Sequence, residues 1–208
     1  MVRGRFITLE GGEGSGKSTQ VARLTTALRA EGIDALATRE PGGTEGAEFI
    51  RKLLVEGPTD RWQPLTEVLL HYAARREHVD KVIEPALSAG RWVISDRFAD
   101  STMAYQGYAQ GVGRTAVERI DRAVLGGFAP NLTILLDMPI ARGLARARER
   151  GGADRYERMG EAFHAHLRDA FMDIARREPA RCVVIDADAD LETVAKRVRG
   201  AVRARLGV

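Results

Sequence analysis

Five short runs of apolar, largely β-branched residues punctuate the chain, at Arg5 to Glu10, Ile33 to Arg39, Trp92 to Asp96, Leu132 to Asp137 and Cys182 to Asp186. Each is short and nearly continuous in hydrophobicity, the pattern of a parallel strand covered on both faces. Between them apolar residues recur every three or four positions. Val21, Leu24 and Leu28 form one such stripe, Tyr156, Met159, Phe163, Leu167, Phe171 and Ile174 a second, and Leu191, Val194, Val198 and Val202 a third. That spacing predicts amphipathic helices packed on a sheet. Strands alternating with helices imply right-handed crossovers, hence an α/β fold with a doubly wound, five-stranded parallel sheet and flanking helices.

A length of 208 residues suits a single domain, with no internal repeat or low-complexity linker to divide it. No stretch approaches the roughly 18 consecutive apolar residues of a membrane span, and the first residues run into a strand without a secretory segment, so no membrane partner and a cytoplasmic location are expected. The lone cysteine, Cys182, lies among Val183, Val184 and Ile185, which suggests an inert buried thiol. A net charge of +3 and a pI near 9.3 favour an anionic partner. The arginines come without interleaved aromatics or lysine runs, which argues against an extended nucleic-acid surface and leaves nucleotides.

The chemistry concentrates where strands end, the place where open parallel sheets bind ligands. Directly after the first strand, Gly11-Gly12-Glu13-Gly14-Ser15-Gly16-Lys17-Ser18-Thr19 fits the phosphate-binding pattern G-x-x-x-x-G-K-[ST]. Glycines let successive backbone N–H groups converge on a phosphate, and the following helix presents its positive end to the same anion. Lys17 is then the bridge between the β- and γ-phosphates of ATP, and Ser18 a ligand of Mg²⁺. Neither N-K-x-D nor D-x-x-G, the marks of a GTPase switch, occurs in the chain. A kinase needs a second anion site, and two further strand ends carry arginines: Arg39-Glu40-Pro41-Gly42-Gly43-Thr44, and Asp96-Arg97 leading through Ser101-Thr102 to Tyr105-Gln106-Gly107.

Taken together, the loop with its internal Glu13, the R-E-P-G-G-T segment, the D-R-x-x-x-S-T-x-A-Y-Q-G segment and a later arginine-rich stretch ending in Asp154-Arg155-Tyr156-Glu157 resemble the bacterial thymidylate kinases, in order and spacing, from Phe6 to about Ala187. The resemblance implies the P-loop nucleoside-monophosphate kinase fold, ATP and dTMP as substrates with Mg²⁺, and a homodimer. It implies that Arg97 and Arg51 hold the dTMP phosphate, with Arg39 either joining them or bracing Glu40, and that Asp96 orients the Mg²⁺ shell. Glu13, an acid in an anion-binding loop, is implied to face the acceptor and take a hydrogen bond from the sugar 3′-hydroxyl. Arg75 is expected to donate to thymine O4, with Ser101, Thr102 and Gln106 near base and phosphate and Tyr105 crowding a ribose 2′-hydroxyl. The bland alternatives are a solvated Arg75 and a core Tyr105.

The sequence departs from the family pattern at His71, where a stacking phenylalanine is usual. His71 can stack and titrate, which predicts a pH-dependent dTMP affinity, or Tyr72 can take the stacking role. The P-loop also lacks an arginine, so the catalytic cation is expected in a lid at about 146–157, Arg150 first and Arg155 next, with Arg146 against adenine. Arg142 and Arg148 have a solvated helix face as their ordinary reading, and Asp154 with Glu157 resembles a capping box.

Overall fold

In the computed structural model, which describes residues 2–151 and 154–208 apart from the side chain of Arg150, the five strands are β1 (Phe6–Glu10), β2 (Ala35–Arg39), β3 (Trp92–Asp96), β4 (Leu132–Asp137) and β5 (Cys182–Asp186). All pair in parallel, in the order β2-β3-β1-β4-β5. β1 and β3 are therefore neighbours, and their register sets Leu9 against Asp96. The chain reverses its winding on either side of β1, so the loops after β1 and β3 open on the same crevice.

Helices cover both faces. α1 (Lys17–Ala30) and α9 (Leu191–Leu206) press Val21, Leu24, Leu28, Val194, Val198 and Val202 onto one side of the sheet. On the other side α3 (Pro64–His78) runs through a π-helical turn, Val79–Ile83, into α4 (Glu84–Ser88), and with α6 (Arg114–Leu125) it buries Val68, Tyr72, Ile83, Leu87 and Val117 against Phe6 and Val93. α2 (Glu45–Val55), capped by the Thr44 side chain on the Ala47 N–H, packs on α3. After β3 come the short α5 (Ala99–Thr102) and a second π-helical stretch, Met103–Ala109. α7 (Ile140–Arg150) starts directly after Pro139, which stands at the N-cap with ψ of 130° and not in the first turn. α8 (Glu161–Arg177) places Leu167, Phe171 and Ile174 with Tyr105 and Leu135 in a third apolar cluster.

The stripe from Tyr156 to Ile174 is thus only partly one helix. It starts at Glu161, after Gly160, and Asp154 Oδ1 accepts the Tyr156 and Glu157 N–H groups in a turn. The acid caps a turn where a helix start was expected; Tyr156 still reaches the same core, which is why the periodicity ran through it. Cys182 is buried, and burial pushes its thiol up to about 12, in line with an inert residue. Among the described residues no helix is long and apolar enough to cross a membrane.

Candidate functional site

A cleft of about 830 Å³ lies beyond the carboxyl ends of β1, β2 and β3, within the size range of small-molecule sites. The expected residues that line it are Glu13 to Thr19, Arg39, Glu40, Arg51, His71, Arg75, Asp96, Arg97, Ser101, Tyr105, Gln106 and Arg146. Gly11, Gly12 and Thr102 stand behind the wall, and the side chain of Arg150 lies outside the described residues.

At one end the loop after β1 wraps toward α1. Gly11, Gly14 and Gly16 have φ of 140°, 68° and 91°, a region that penalises any Cβ. Lys17 Nζ lies 2.7 Å from the Gly12 carbonyl and 3.1 Å from that of Gly11. Burial, then the nearby Arg97, pulls the ammonium down to about 8. Ser18 Oγ donates to Asp96 Oδ2, and Asp96 Oδ1 is buried without a hydrogen-bond partner among the described residues. The loop is also pinned from outside. A Cβ on Gly14 would come within 1.9 Å of the Gly143 carbonyl, and one on Gly143 within 2.4 Å of the Glu13 carbonyl, so α7 meets the loop backbone to backbone.

Glu13 turns away from the loop's interior. Its Oε1 accepts from Arg97 Nη2 at 2.8 Å and from the Tyr105 hydroxyl. Burial opposes its charge, but Arg97, Lys17 and Tyr105 outweigh that and hold the carboxyl at about 2. Arg97, the sole non-glycine residue at positive φ among those described, at 71°, spreads its guanidinium over the Gly11 carbonyl, Ser101 Oγ, Glu13 and the Tyr105 oxygen. Backbone held in so uncommon a region marks a constrained, site-like position. Ser101 in turn donates to Glu10, whose other oxygen accepts the Phe98 N–H. Burial and then Asp100 push Glu10 up to about 8. Sequence reasoning passed over Glu10 because an acid closing an apolar strand reads as a boundary.

At the other end, Arg75 is almost wholly buried rather than solvated. Nε meets Glu40 at 2.7 Å and Nη2 meets the Phe98 carbonyl and Thr102 Oγ1, each at 3.0 Å, while Nη1 has no partner among the described residues. Thr102 is thus a support for Arg75. Glu40 is braced by Arg75 and His78, and Arg39 does not support it: that guanidinium meets Glu48 at 3.1 Å from both oxygens. Arg51 donates to the Pro41 carbonyl, and burial, then Arg39, lowers its pKa. Tyr105 is both a core aromatic and a cleft residue. Gln106 gives Nε2 to Glu67 at 2.9 Å, and its buried Oε1 has no partner among the described residues.

His71 lines the cleft with Nε2 3.2 Å from the Tyr156 hydroxyl. Burial, then Arg75 and Arg155, holds it well below its usual pKa, a direction that runs against the expected pH response. Tyr72 is committed elsewhere, under the Arg75 guanidinium with its hydroxyl on Asp121, and does not line the cleft as His71 does. Arg155 is no free lid cation. It is fully buried, donating to the Leu54 and Thr59 carbonyls, and its Nη2 lies 2.6 Å from Glu67 Oε1, an ion pair without hydrogen-bond alignment. Arg142 pairs with Asp188 on the rim and Arg148 is exposed. Arg146 lines the cleft together with the apolar residues Ala187, Ala189, Leu191 and Val194.

A sequence model of the family described as "Thymidylate kinase" matches residues 9–198. The thymidylate kinase of Caulobacter vibrioides is 54% identical over 208 residues, covering all of both chains. That of Rhizorhabdus wittichii is 51% identical over 197 residues, 94% of this chain and 95% of the relative. The crystal structure of thymidylate kinase from Ehrlichia chaffeensis superposes with a TM-score of 0.77 at 35% identity, covering 97% of this chain and 99% of that one.

Proposed function

The chain belongs to the thymidylate kinase family, and we propose that it transfers the γ-phosphoryl group of ATP to dTMP, giving dTDP and ADP for dTTP synthesis. The observation that carries the acceptor is that two residues lining the cleft each keep one buried atom without a hydrogen-bond partner among the described residues, of opposite sense: the donor Arg75 Nη1 and the acceptor Gln106 Oε1. Thymine offers O4 to the first and N3–H to the second. Cytosine reverses both, which would leave buried groups unpaired, the strongest form of discrimination a binding site has. Guanine repeats the acceptor and donor order but adds a ring, and uracil differs by the methyl group alone.

The phosphates would meet across the two loops. Lys17 would exchange the Gly11 and Gly12 carbonyls for ATP phosphate oxygens, and an anion there would restore its proton affinity. The N–H groups of Gly12 to Thr19 would cradle the same phosphates. Arg97 and Arg51 would hold the dTMP phosphate, with Arg39 joining them, a reading supported by all three lining the cleft. Glu13, its carboxyl held at about 2, would take the sugar 3′-hydroxyl, and Tyr105, whose hydroxyl donates to it, would crowd a 2′-hydroxyl. Mg²⁺ suits Ser18 and the unpaired Asp96 Oδ1 and, when bound, neutralises charge on the β- and γ-phosphates. Among the described residues there is no cluster of three or more metal-binding side chains, which fits a cation held largely by phosphates and water. Arg146 would lie against adenine, and Arg150 would supply the cation for the transferring group, a role worth about 10³ to 10⁵ in rate.

We read the chain as one kinase domain with a lid at about 146–157, supported by Arg146, Asp154, Tyr156 and Glu157 all bordering the cleft. A homodimer is supported by four exposed apolar residues on adjacent helices, Phe49 and Leu53 on α2, Leu65 and Leu69 on α3. The test of function is ADP release from MgATP with dTMP, dUMP, UMP, AMP, CMP and GMP measured in parallel. dTMP should be the fastest acceptor, and any other order defeats the reading.

A further inference from the structure

Glu67 has no exposed surface, yet its carboxylate sits among three side chains from distant parts of the chain. Oε2 accepts from Gln106 Nε2 and from the Tyr156 hydroxyl, both at 2.9 Å, and Oε1 faces Arg155 Nη2 at 2.6 Å. Glu67 sits in the first turn of α3, where a helix favours an acid, but full burial of the carboxylate is still costly unless the charge is matched, and here the matching groups come from the candidate lid and the acceptor pocket together.

The carboxylate decides which way the Gln106 amide lies. An ionised carboxylate only accepts, so it holds the NH₂ end. The second neighbour agrees: the Tyr156 hydroxyl spends its proton on Glu67 and faces Gln106 Nε2 with a lone pair at 3.3 Å. Both contacts demand the same orientation, which leaves Oε1 as the end without a partner. Tyr156 and Arg155 are in turn fastened by the Arg155 N–H on the Val55 carbonyl and its side chain on Leu54 and Thr59.

We propose that Glu67 is a positioning residue for base selection, fixing the Gln106 amide with its carbonyl toward a base N–H and making that orientation depend on the docked Arg155-Tyr156 segment. This rests on the dTMP reading above. Glu67 is fully buried behind the residues that line the cleft; it acts through Gln106, and it ties pyrimidine choice to the same segment that ends the lid.

Glu67→Gln is the direct test, since a glutamine at that position can offer either an N–H or a carbonyl and so no longer dictates the amide. The ratio of kcat/KM for dTMP over dCMP should fall by about tenfold or more, chiefly through KM for dTMP, with KM for ATP within about twofold of wild type. In a Gln106→Met background the same substitution should leave the ratio unmoved, because the two changes act through one group. A ratio unchanged in Glu67→Gln, or lowered equally in both backgrounds, overturns the proposal. Thermal unfolding verifies the fold. Should Glu67→Gln not fold, Glu67→Asp, one methylene short of Gln106, must show the same fall, and an unaltered ratio there overturns it equally. The wild-type control separates the two ideas: a wild type that does not prefer dTMP refutes the functional reading, whatever Glu67 does.

Discussion

Replacing Gly143 by alanine should slow phosphoryl transfer far more than it weakens acceptor binding. The new Cβ would stand 2.4 Å from the Glu13 carbonyl oxygen, while 3.4 Å marks an ordinary contact, so the α7 backbone and the phosphate-binding loop must part by about 1 Å. Neither side can yield by a rotamer change, since the clash is with backbone. Overpacking of this kind typically costs about 1–3 kcal/mol of stability. A misplacement of about 1 Å in a transfer site is worth about 10²-fold in rate. The base-binding part of the acceptor pocket, around Arg75 and Gln106, belongs to other elements and should be spared, Glu13 being the acceptor-side residue that moves with the loop. Steady-state ADP release with dTMP varied at saturating ATP separates these: kcat down by about 10²-fold, KM for dTMP within about threefold. A kcat within about threefold of wild type in a variant that unfolds normally would refute the view that the glycine contact sets the position of α7.

Other outcomes follow from the same geometry. The KM for dTMP of wild type and of His71→Phe should run parallel between pH 6 and 8, because burial and the arginines keep His71 neutral there; a bend unique to wild type would contradict this. The sign for stability is that a depressed histidine pKa contributes fully above the unfolded value near 6.5 and loses that contribution as pH falls toward the folded one, so urea midpoints of wild type should drop relative to His71→Phe only below about pH 6.5. Arg155→Met should lose about 3–5 kcal/mol in chemical denaturation by stranding Glu67, whereas Arg150→Ala should melt like wild type and lose kcat; a stable Arg155→Met with a selective kcat defect would reverse the two roles. Leu69→Glu on the exposed apolar patch should convert a dimer to a monomer in sedimentation equilibrium, and an unchanged mass would remove that patch from the interface.

What could be read from the chain alone was whatever the chain carries locally. A strand such as Leu132–Asp137 declares itself by composition, and the phosphate loop by spacing, because both are short and contiguous. Arg155 shows the opposite case. It ends a run of arginines and looks like its neighbours, yet it is fully buried while Arg148 is exposed, because its partner Glu67 lies on another helix. Glu67 itself gave no signal, since an isolated acid on a helix is ordinarily solvated. The unpaired atoms of Arg75 and Gln106 were likewise invisible: the residue types suggested contacts with a base, but which end of an amide is left over is settled only by neighbours. The helix start at Glu161 was misplaced because Tyr156 satisfies the periodicity from a turn, and Gly160 was the cue against it.

The pairing of β1 with β3 has a consequence for how such an enzyme can change. The loops for the two phosphates leave adjacent strands, so their separation is set by the interstrand spacing of about 4.8 Å and the register of Leu9 on Asp96. That spacing belongs to the backbone, and the phosphate-binding side chains proposed above, Arg97 and Arg51 among them, act within it. The base, on the reading proposed above, would by contrast be met by α3, which carries Arg75, and by the π-helical stretch after α5, which carries Gln106. Substitutions on those elements can retune which nucleotide is accepted without altering the span the phosphoryl group crosses, so specificity and reach are free to evolve separately.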